Sequence, residues 1–281
     1  MKSGVRTLYW MLIGALISCK PASRKVESPP GYDFSAPVKF ALPIRLDEIS
    51  GISFYANDIY AIQDELGRLY HFKLDSDKIT SAKFGSKADY EDLAILDNTV
   101  FILESNGTIF SFDLALADSE QVYDLKEWPA METACEYEGL FADSATNKIY
   151  ALSKECKDDA SSAPWSGTVF EWKNDSLKML EHFSIDMQEL KKLNGNKKLQ
   201  FKPSALALHP IARQWFIISS SNQLLLITDE KFTPIQIIKL KESLFSQPEG
   251  ICFDPYGNLY IANEKGNAFE GMILKFEMKV K

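Results

Sequence analysis

The sequence predicts an all-β fold: a five-bladed β-propeller of four-stranded antiparallel blades, its ring closed by an N-terminal strand. The first observation is a polar cluster running into an apolar strand five times over: Asp47-Glu48-Ile49-Ser50-Gly51-Ile52, Tyr90-Glu91-Asp92-Leu93-Ala94-Ile95, Tyr137-Glu138-Gly139-Leu140-Phe141, Pro203-Ser204-Ala205-Leu206-Ala207-Leu208 and Pro248-Glu249-Gly250-Ile251-Cys252-Phe253. The second is its spacing, 43 residues from Glu48 to Glu91, then 47 to Glu138, 66 to Ser204 and 45 to Glu249. A period near that length, holding four short strands, is the arithmetic of a propeller blade. The third is a following strand of constant grammar, as in Ile59-Tyr60-Ala61-Ile62-Gln63-Asp64, Ile149-Tyr150-Ala151-Leu152-Ser153-Lys154 and Leu259-Tyr260-Ile261-Ala262-Asn263-Glu264. These runs are apolar on both faces, as expected of sheets packed between sheets.

In chain order, Lys2 and Arg6 precede an apolar run, Leu8 to Ile17, that ends in Leu16-Ile17-Ser18-Cys19, the form of a bacterial lipobox. That run is too short to cross a bilayer as a helix, so residues 1–18 read as a cleaved lipoprotein signal peptide and Cys19 as the lipidated residue. The protein is then expected to be extracytoplasmic, held on a bacterial membrane by the lipid, at the periplasmic side or the cell surface. Residues 19–36, rich in Pro, Ser and charge, read as a disordered tether, and residues 37–281 as the propeller.

Within the first unit the strands are Ile49 to Phe54, Asp58 to Gln63, Arg68 to Leu74 and Lys78 to Phe84, punctuated by Asn57-Asp58, Leu66-Gly67 and Asp75-Ser76-Asp77. The long third interval holds Ile185 to Leu193, with apolar residues at helical spacing before Asn194-Gly195; it reads as a short surface helix between blades. The last unit has only three strands, and Pro37 to Leu42 beside Met272 to Phe276 would complete it, leaving no long open edge.

The whole chain carries a formal net charge of −8; removal of residues 1–18 takes Lys2 and Arg6 away and leaves 29 basic against 39 acidic residues. Such a balance disfavours nucleic acid as a partner and suits a cation, a neutral ligand or a basic partner. Of the four cysteines, Cys252 sits in an apolar strand as a small buried hydrophobe. Cys135 and Cys156 bracket a hairpin whose register brings them together, so a disulfide fits an exported protein.

Inner strands line a propeller's channel, and the turn between second and third strands opens on the face where the first strand begins. Glu48, Glu91, Glu138 and Glu249 are therefore expected to ring one channel mouth, with Asp64, Glu65, Glu104, Glu155 and Glu264 beside them and Ser204 breaking the ring. Converging carboxylates repel unless a proton or hard cation intervenes, and oxygen-only donors favour calcium. The alternative is that each repeated Glu accepts backbone N–H bonds from the next blade. His71, His182 and His209 fall on different elements, and nucleophile-elbow, zincin, phosphate-loop and EF-hand patterns are missing.

The ordered series Asp47 to Ile52, Gln63-Asp64-Glu65-Leu66-Gly67-Arg68-Leu69-Tyr70, Asp89 to Ala94, Tyr137 to Leu140, Gln247 to Ile251 and Asp254-Pro255-Tyr256-Gly257-Asn258-Leu259-Tyr260 resembles the SdiA-regulated family of exported bacterial propellers, which has NHL-like repeats. The resemblance covers about Pro37 to Lys281. It implies a five-bladed propeller, a bound calcium ion and a distant relation to lactonase-like propellers, but no established reaction. Asp92 and Ser204 depart from its repeat pattern. The resulting expectation is a binding module that holds calcium and recognises a small molecule or protein. Its rival is a metal-dependent hydrolase of lactonase or phosphoesterase type.

Overall fold

The computed structural model describes residues 26–130, 135–156 and 165–279, so the expected signal peptide and Cys19 lie outside the described residues. Strand β1 (Val38–Ala41) precedes the first full blade, β2 (Ile49–Tyr55), β3 (Asp58–Gln63), β4 (Arg68–Phe72) and β5 (Ile79–Lys83). The second blade is β6 (Tyr90–Leu96), β7 (Thr99–Glu104), β8 (Ile109–Asp113) and β9 (Lys126–Trp128). The third is β10 (Cys135–Asp143), β11 (Lys148–Cys156), β12 (Trp165–Lys173) and β13 (Ser176–Ile185). Helix α1 (Met187–Asn194) leads into the fourth, β14 (Ala205–Leu208), β15 (Trp215–Ser219), β16 (Leu224–Thr228) and β17 (Pro234–Lys239). The fifth is β18 (Pro248–Phe253), β19 (Leu259–Asn263) and β20 (Met272–Phe276), to which β1 adds the outer strand.

All five sheets are four-stranded antiparallel meanders. Three hairpins turn on residue pairs with both φ positive: Ala56-Asn57 (49°, 70°), Asp97-Asn98 (48°, 61°) and Asn174-Asp175 (52°, 57°). Such tight turns match the strand twist, and Asn and Asp tolerate the left-handed backbone they require. The inter-blade helix forms as expected but starts later, because Ile185 is the last residue of β13. Asp186 caps it through Gln188 N–H at 2.7 Å, and Gly195, at φ 69°, ends it.

The ring closes where the incomplete last unit predicts, Val38 opposite Lys275 and Ala41 opposite Met272. The expected tether is corrected: from residue 26 the chain is packed on the propeller. Phe34 is fully buried, 4.5 Å from the Phe276 ring and 5.2 Å from Phe245, and Tyr32 Oη donates to Gly257 O at 2.5 Å. The Pro, Ser and charge content of this stretch concealed two anchoring aromatics, whose burial offsets the entropy of ordering the segment.

Apolar clusters fill the interfaces between neighbouring blades. Around the axis the inner strands approach to backbone contact. A Cβ on Gly51 would sit 2.7 Å from Asp92 Cα, one on Gly139 3.4 Å from Ala205 Cα, and one on Gly250 3.1 Å from Ile52 N. Immediately after this level come Ile52, Leu93, Leu140, Leu206 and Ile251, each exposed by 3% or less. Each packs into the interface beside its own blade, and together they mark an apolar waist: the cavities at the two ends of the channel share no lining residue.

Candidate functional site

At one end the inner strands β2, β6, β10 and β18 begin with an irregularity. The ladder runs from Ile49 to Gly51, Tyr90 to Asp92, Tyr137 to Gly139 and Pro248 to Gly250, passing over one residue each time. A bulge of this kind re-aims a side chain and ends regular pairing. The residues passed over are Ser50, Glu91, Glu138 and Glu249, and all four line one polar cavity of about 270 Å³. Ser204, one residue before Ala205 opposite Ile218, holds the fifth equivalent place.

This register corrects the expected repeat. Ser50, not Glu48, is equivalent to Glu91, so three glutamates and two serines occupy the repeated position; Glu48 reaches the same cavity from outside strand β2. The second-strand ends are re-registered too. Opposite Gln63 stands Ile49, opposite Glu104 stands Tyr90, opposite Ser153 stands Tyr137 and opposite Asn263 stands Pro248. The residues that follow, Asp64, Ser105, Lys154 and Glu264, are thus the equivalent set. Asp64, Lys154 and Glu264 line the cavity, while Glu65, Glu104 and Glu155 do not. Glu65 pairs with Lys87 at 3.0 Å, Glu155 with Lys202 at 3.1 Å, and Glu104 accepts from Asn106 at 2.9 Å.

Lys154 is the residue the sequence reading missed, together with Asp89 and Glu136 on the cavity wall. Its signal was present, since Lys is the one cation in a position otherwise held by acid or hydroxyl. Lys154 Nζ lies 2.5 Å from Glu138 Oε1 and 3.3 Å from Glu136 Oε1. Burial alone would lower its pKa, but the two carboxylates push it up on balance. Cys135 and Cys156 are joined as a disulfide across the first rung of the same hairpin, directly beside this pair. Cys252 is a buried free thiol.

Two halves of the cavity differ. On the side of blades two and three, burial raises the Glu91 carboxyl strongly, with the charges of Glu138 and Asp89 adding to it. Burial also raises Glu138, opposed by the Lys154 hydrogen bond. Glu249 is raised by burial and held back by Ser220, by the charge of Lys154 and by the nearby Gln247 and Ser204. On the side of blades five and one, Glu264 is raised by burial and then by the neighbouring Glu48 carboxyl, and it accepts from Gln247 Nε2. Asp64 is pushed up to about 6 by burial and then by the charge of Glu48. Here Ser50 Oγ and Asp64 Oδ1 are buried without a hydrogen-bond partner in the structure, as is Oδ1 of Asn263, the residue before Glu264. Lys265, the nearby cation, is engaged by Asp47 at 2.8 Å. Among the described residues no group of three or more His, Cys, Asp or Glu side chains is gathered closely enough to hold a metal ion.

The bonds to a neighbouring blade that were considered for the repeated glutamates are made instead by Asp92. Its Oδ1 accepts from Leu93 N–H and its Oδ2 from Leu140 N–H, both at 2.8 Å, tying blade two to blade three. His71 stacks on Tyr60 at 5.2 Å and contacts Asp118 at 3.1 Å, far from the mouth in the second-to-outer part of the blade. His209 accepts from the N–H groups of Ile211 and Ala212 through Nδ1, a turn-stabilising role at the opposite end.

A family model described as SdiA-regulated matches residues 28–271. Among solved structures, glutaminyl cyclase from Myxococcus xanthus superposes with a TM-score of 0.57 at 14% identity, over 87% of this chain and 95% of that one. A nidogen/laminin complex (TM-score 0.49, 12% identity, 78% and 73% covered) and virginiamycin B lyase from Staphylococcus aureus (0.47, 14%, 88% and 75%) also match. No curated protein sequence matches the chain. At such identities the first of these likenesses speaks to the propeller fold alone.

Proposed function

The chain belongs to the SdiA-regulated family, and on that footing we propose that it is an extracytoplasmic binding propeller whose acidic channel mouth takes calcium and presents it to a small-molecule or protein ligand. The observation that carries this reading is the uneven charge balance of the mouth. Blades two and three supply their own cation, Lys154, whereas Glu48, Asp64 and Glu264 crowd together beside unpartnered buried oxygens with no cation of their own. A hard cation bound there would relieve the crowding that raises Glu264 and Asp64 and would take up the orphaned oxygens. The donor set is all oxygen, which suits calcium. The ligand set proposed is accordingly Glu48, Asp64 and Glu264 with Ser50, Glu264 being positioned by Gln247 Nε2; Glu138 is engaged by Lys154, leaving Glu91, Glu138 and Glu249 as the acidic wall.

An exported, lipid-anchored location through Cys19 is part of the same proposal. The Cys135–Cys156 disulfide supports it, because such bonds persist in oxidising compartments. Thermal melts of the mature domain with calcium and with chelator test the metal site. Calcium should raise the melting temperature, and Glu48→Gln or Asp64→Asn should weaken that response; melts indifferent to calcium in the parent protein would end this reading. A second reading, metal-assisted hydrolysis, draws on Glu91, a carboxyl that burial keeps protonated near neutral pH and thus able to donate a proton. Turnover of ester or phosphoester substrates that is lost in Glu91→Gln would favour it.

A further inference from the structure

The other end of the channel, beyond the waist, is a cavity of about 540 Å³ with an apolar floor and a polar rim that the mouth chemistry does not use. The strands that bring carboxylates to the mouth run on to supply its walls. Two residues past each waist position stand Phe54, Ile95, Ala142, Leu208 and Phe253. Phe54, Ala142 and Phe253 are only half-buried, although the waist residues just before them are sealed. Apolar surface left facing water in a blind recess is a standing cost, which an apolar occupant would remove. The volume lies within the range of small-molecule sites, and the blind apolar waist makes the recess a container instead of a passage.

The rim sets the polarity of the occupant. Tyr55 Oη donates to Asn98 Oδ1 at 2.9 Å, and Ser144 stands exposed on the same edge. Among the described residues no Lys or Arg lines the cavity, and its two carboxylates are Asp97, exposed on a turn, and the buried Asp254. One of them, Asp254, is consumed by its own turn and by Tyr260, accepting from Tyr256 N–H, Asn258 and Tyr260 Oη. An anion would therefore meet repulsion without a counter-charge, and a cation would find apolar walls. We propose that this cavity is a second ligand site, for an uncharged apolar molecule of one or two rings bearing a single hydroxyl or carbonyl group that meets Tyr55 and Asn98 at the rim. It is independent of the calcium reading, since the waist separates the two ends.

The test uses the mature domain and two related dyes. Neutral 1-N-phenylnaphthylamine should bind saturably at one site with enhanced fluorescence, while the sulfonated analogue 8-anilinonaphthalene-1-sulfonate should bind at least about tenfold more weakly. Ala142→Trp, which fills the recess from its wall, should weaken the neutral dye by about tenfold or more. Ser144→Trp, placed on the exposed rim, should do the same without touching the core, so the test survives if the first variant misfolds. Tyr55→Phe should weaken 1-naphthol more than naphthalene. Absence of saturable dye binding, equal binding of the sulfonated dye, or undiminished binding in Ser144→Trp overturns the proposal. So does recovery of a bound protein segment, in place of a small molecule, as the only occupant that competes with the dye.

Discussion

Lys154 Nζ sits 2.5 Å from Glu138 Oε1, so the third blade carries its own counter-ion into a mouth otherwise lined by acid. The pair spans adjacent strands of one hairpin, Glu138 on β10 and Lys154 on β11, and the Cys135–Cys156 bond closes that hairpin just beyond it. Position and charge are thereby fixed together.

Lys154→Gln removes the ammonium and leaves Glu138, whose side chain is only 8% exposed, without a charged partner. The loss expected is about 1.5–3 kcal/mol, the range for a hydrogen bond to a charged group, since the Lys154 side chain itself is partly solvated. Calcium should stabilise this variant more than the parent, because one competing cation has gone. Chemical denaturation with and without calcium reads both effects, and a smaller calcium response in the variant would contradict the charge-balance reading.

The metal-free domain should lose stability as pH rises. Asp64 has a folded pKa of about 6 against an ordinary 3.8, and Glu91 and Glu264 are also raised. A raised carboxyl contributes stability that is fully present below its unfolded value and is lost as pH climbs through the folded value. For Asp64 that window is about pH 4 to 6, with Glu91 extending the decline beyond it. Asp143, lowered because Arg213, Thr146 and Ala145 outweigh its burial, has the opposite sign and acts below about pH 4. Calcium should flatten the decline by replacing protons. Melts in chelator from pH 4 to 8 that stay level would count against the crowding of these acids.

Asp92 should tolerate neither amidation nor deletion. Its Oδ1 and Oδ2 each accept a backbone N–H, and an amide keeps only one acceptor oxygen, so Asp92→Asn turns an NH2 group against Leu93 N–H or Leu140 N–H. That variant should lose about 1–3 kcal/mol for one stranded buried N–H, and Asp92→Gly, which strands both, about 1–3 kcal/mol for each. Parental stability of both variants, measured by urea unfolding, would show that the tie between blades two and three carries little weight.

Phe34→Ala should cost about 3–5 kcal/mol, the usual loss for a buried phenylalanine, despite lying before the first strand. Limited proteolysis should then cut within residues 26–36 while the rest of the ring resists. A variant with parental stability would return this segment to the role of a loose tether.

In oxidised protein, non-reducing peptide mapping should recover Cys135 linked to Cys156, and Cys252 should alkylate only after unfolding. Cys252 is 7% exposed, and burial first, then Asp92 and Asp254, raise its thiol well above its ordinary value. Fast alkylation of native protein would mean that the fifth inner strand opens.

The sequence by itself determined the blade number, the strand order and the closing strand, because those follow from local signals repeated at a fixed period: β-rich runs, Asn-containing turns and a last unit one strand short. It also placed Glu91, Glu138, Glu249, Asp64 and Glu264 at one end of the channel, since alternation and strand direction decide which end a residue reaches. Tertiary structure alone decided the register at that end. A one-residue bulge shifts equivalence by an amount that no spacing reveals, which is why Glu48 aligned with Glu91 in sequence while Ser50 stands there in space. It alone decided that Lys154 turns toward Glu138, that Asp92 and not the glutamates bonds the next blade, and that residues 26–36 lie on the ring. The Asp92 bond and the docking of residues 26–36 depend on contacts between segments far apart in the chain, which leave no periodic trace in the sequence; the Lys154–Glu138 pair is local to one hairpin, but its approach follows from the bulged register.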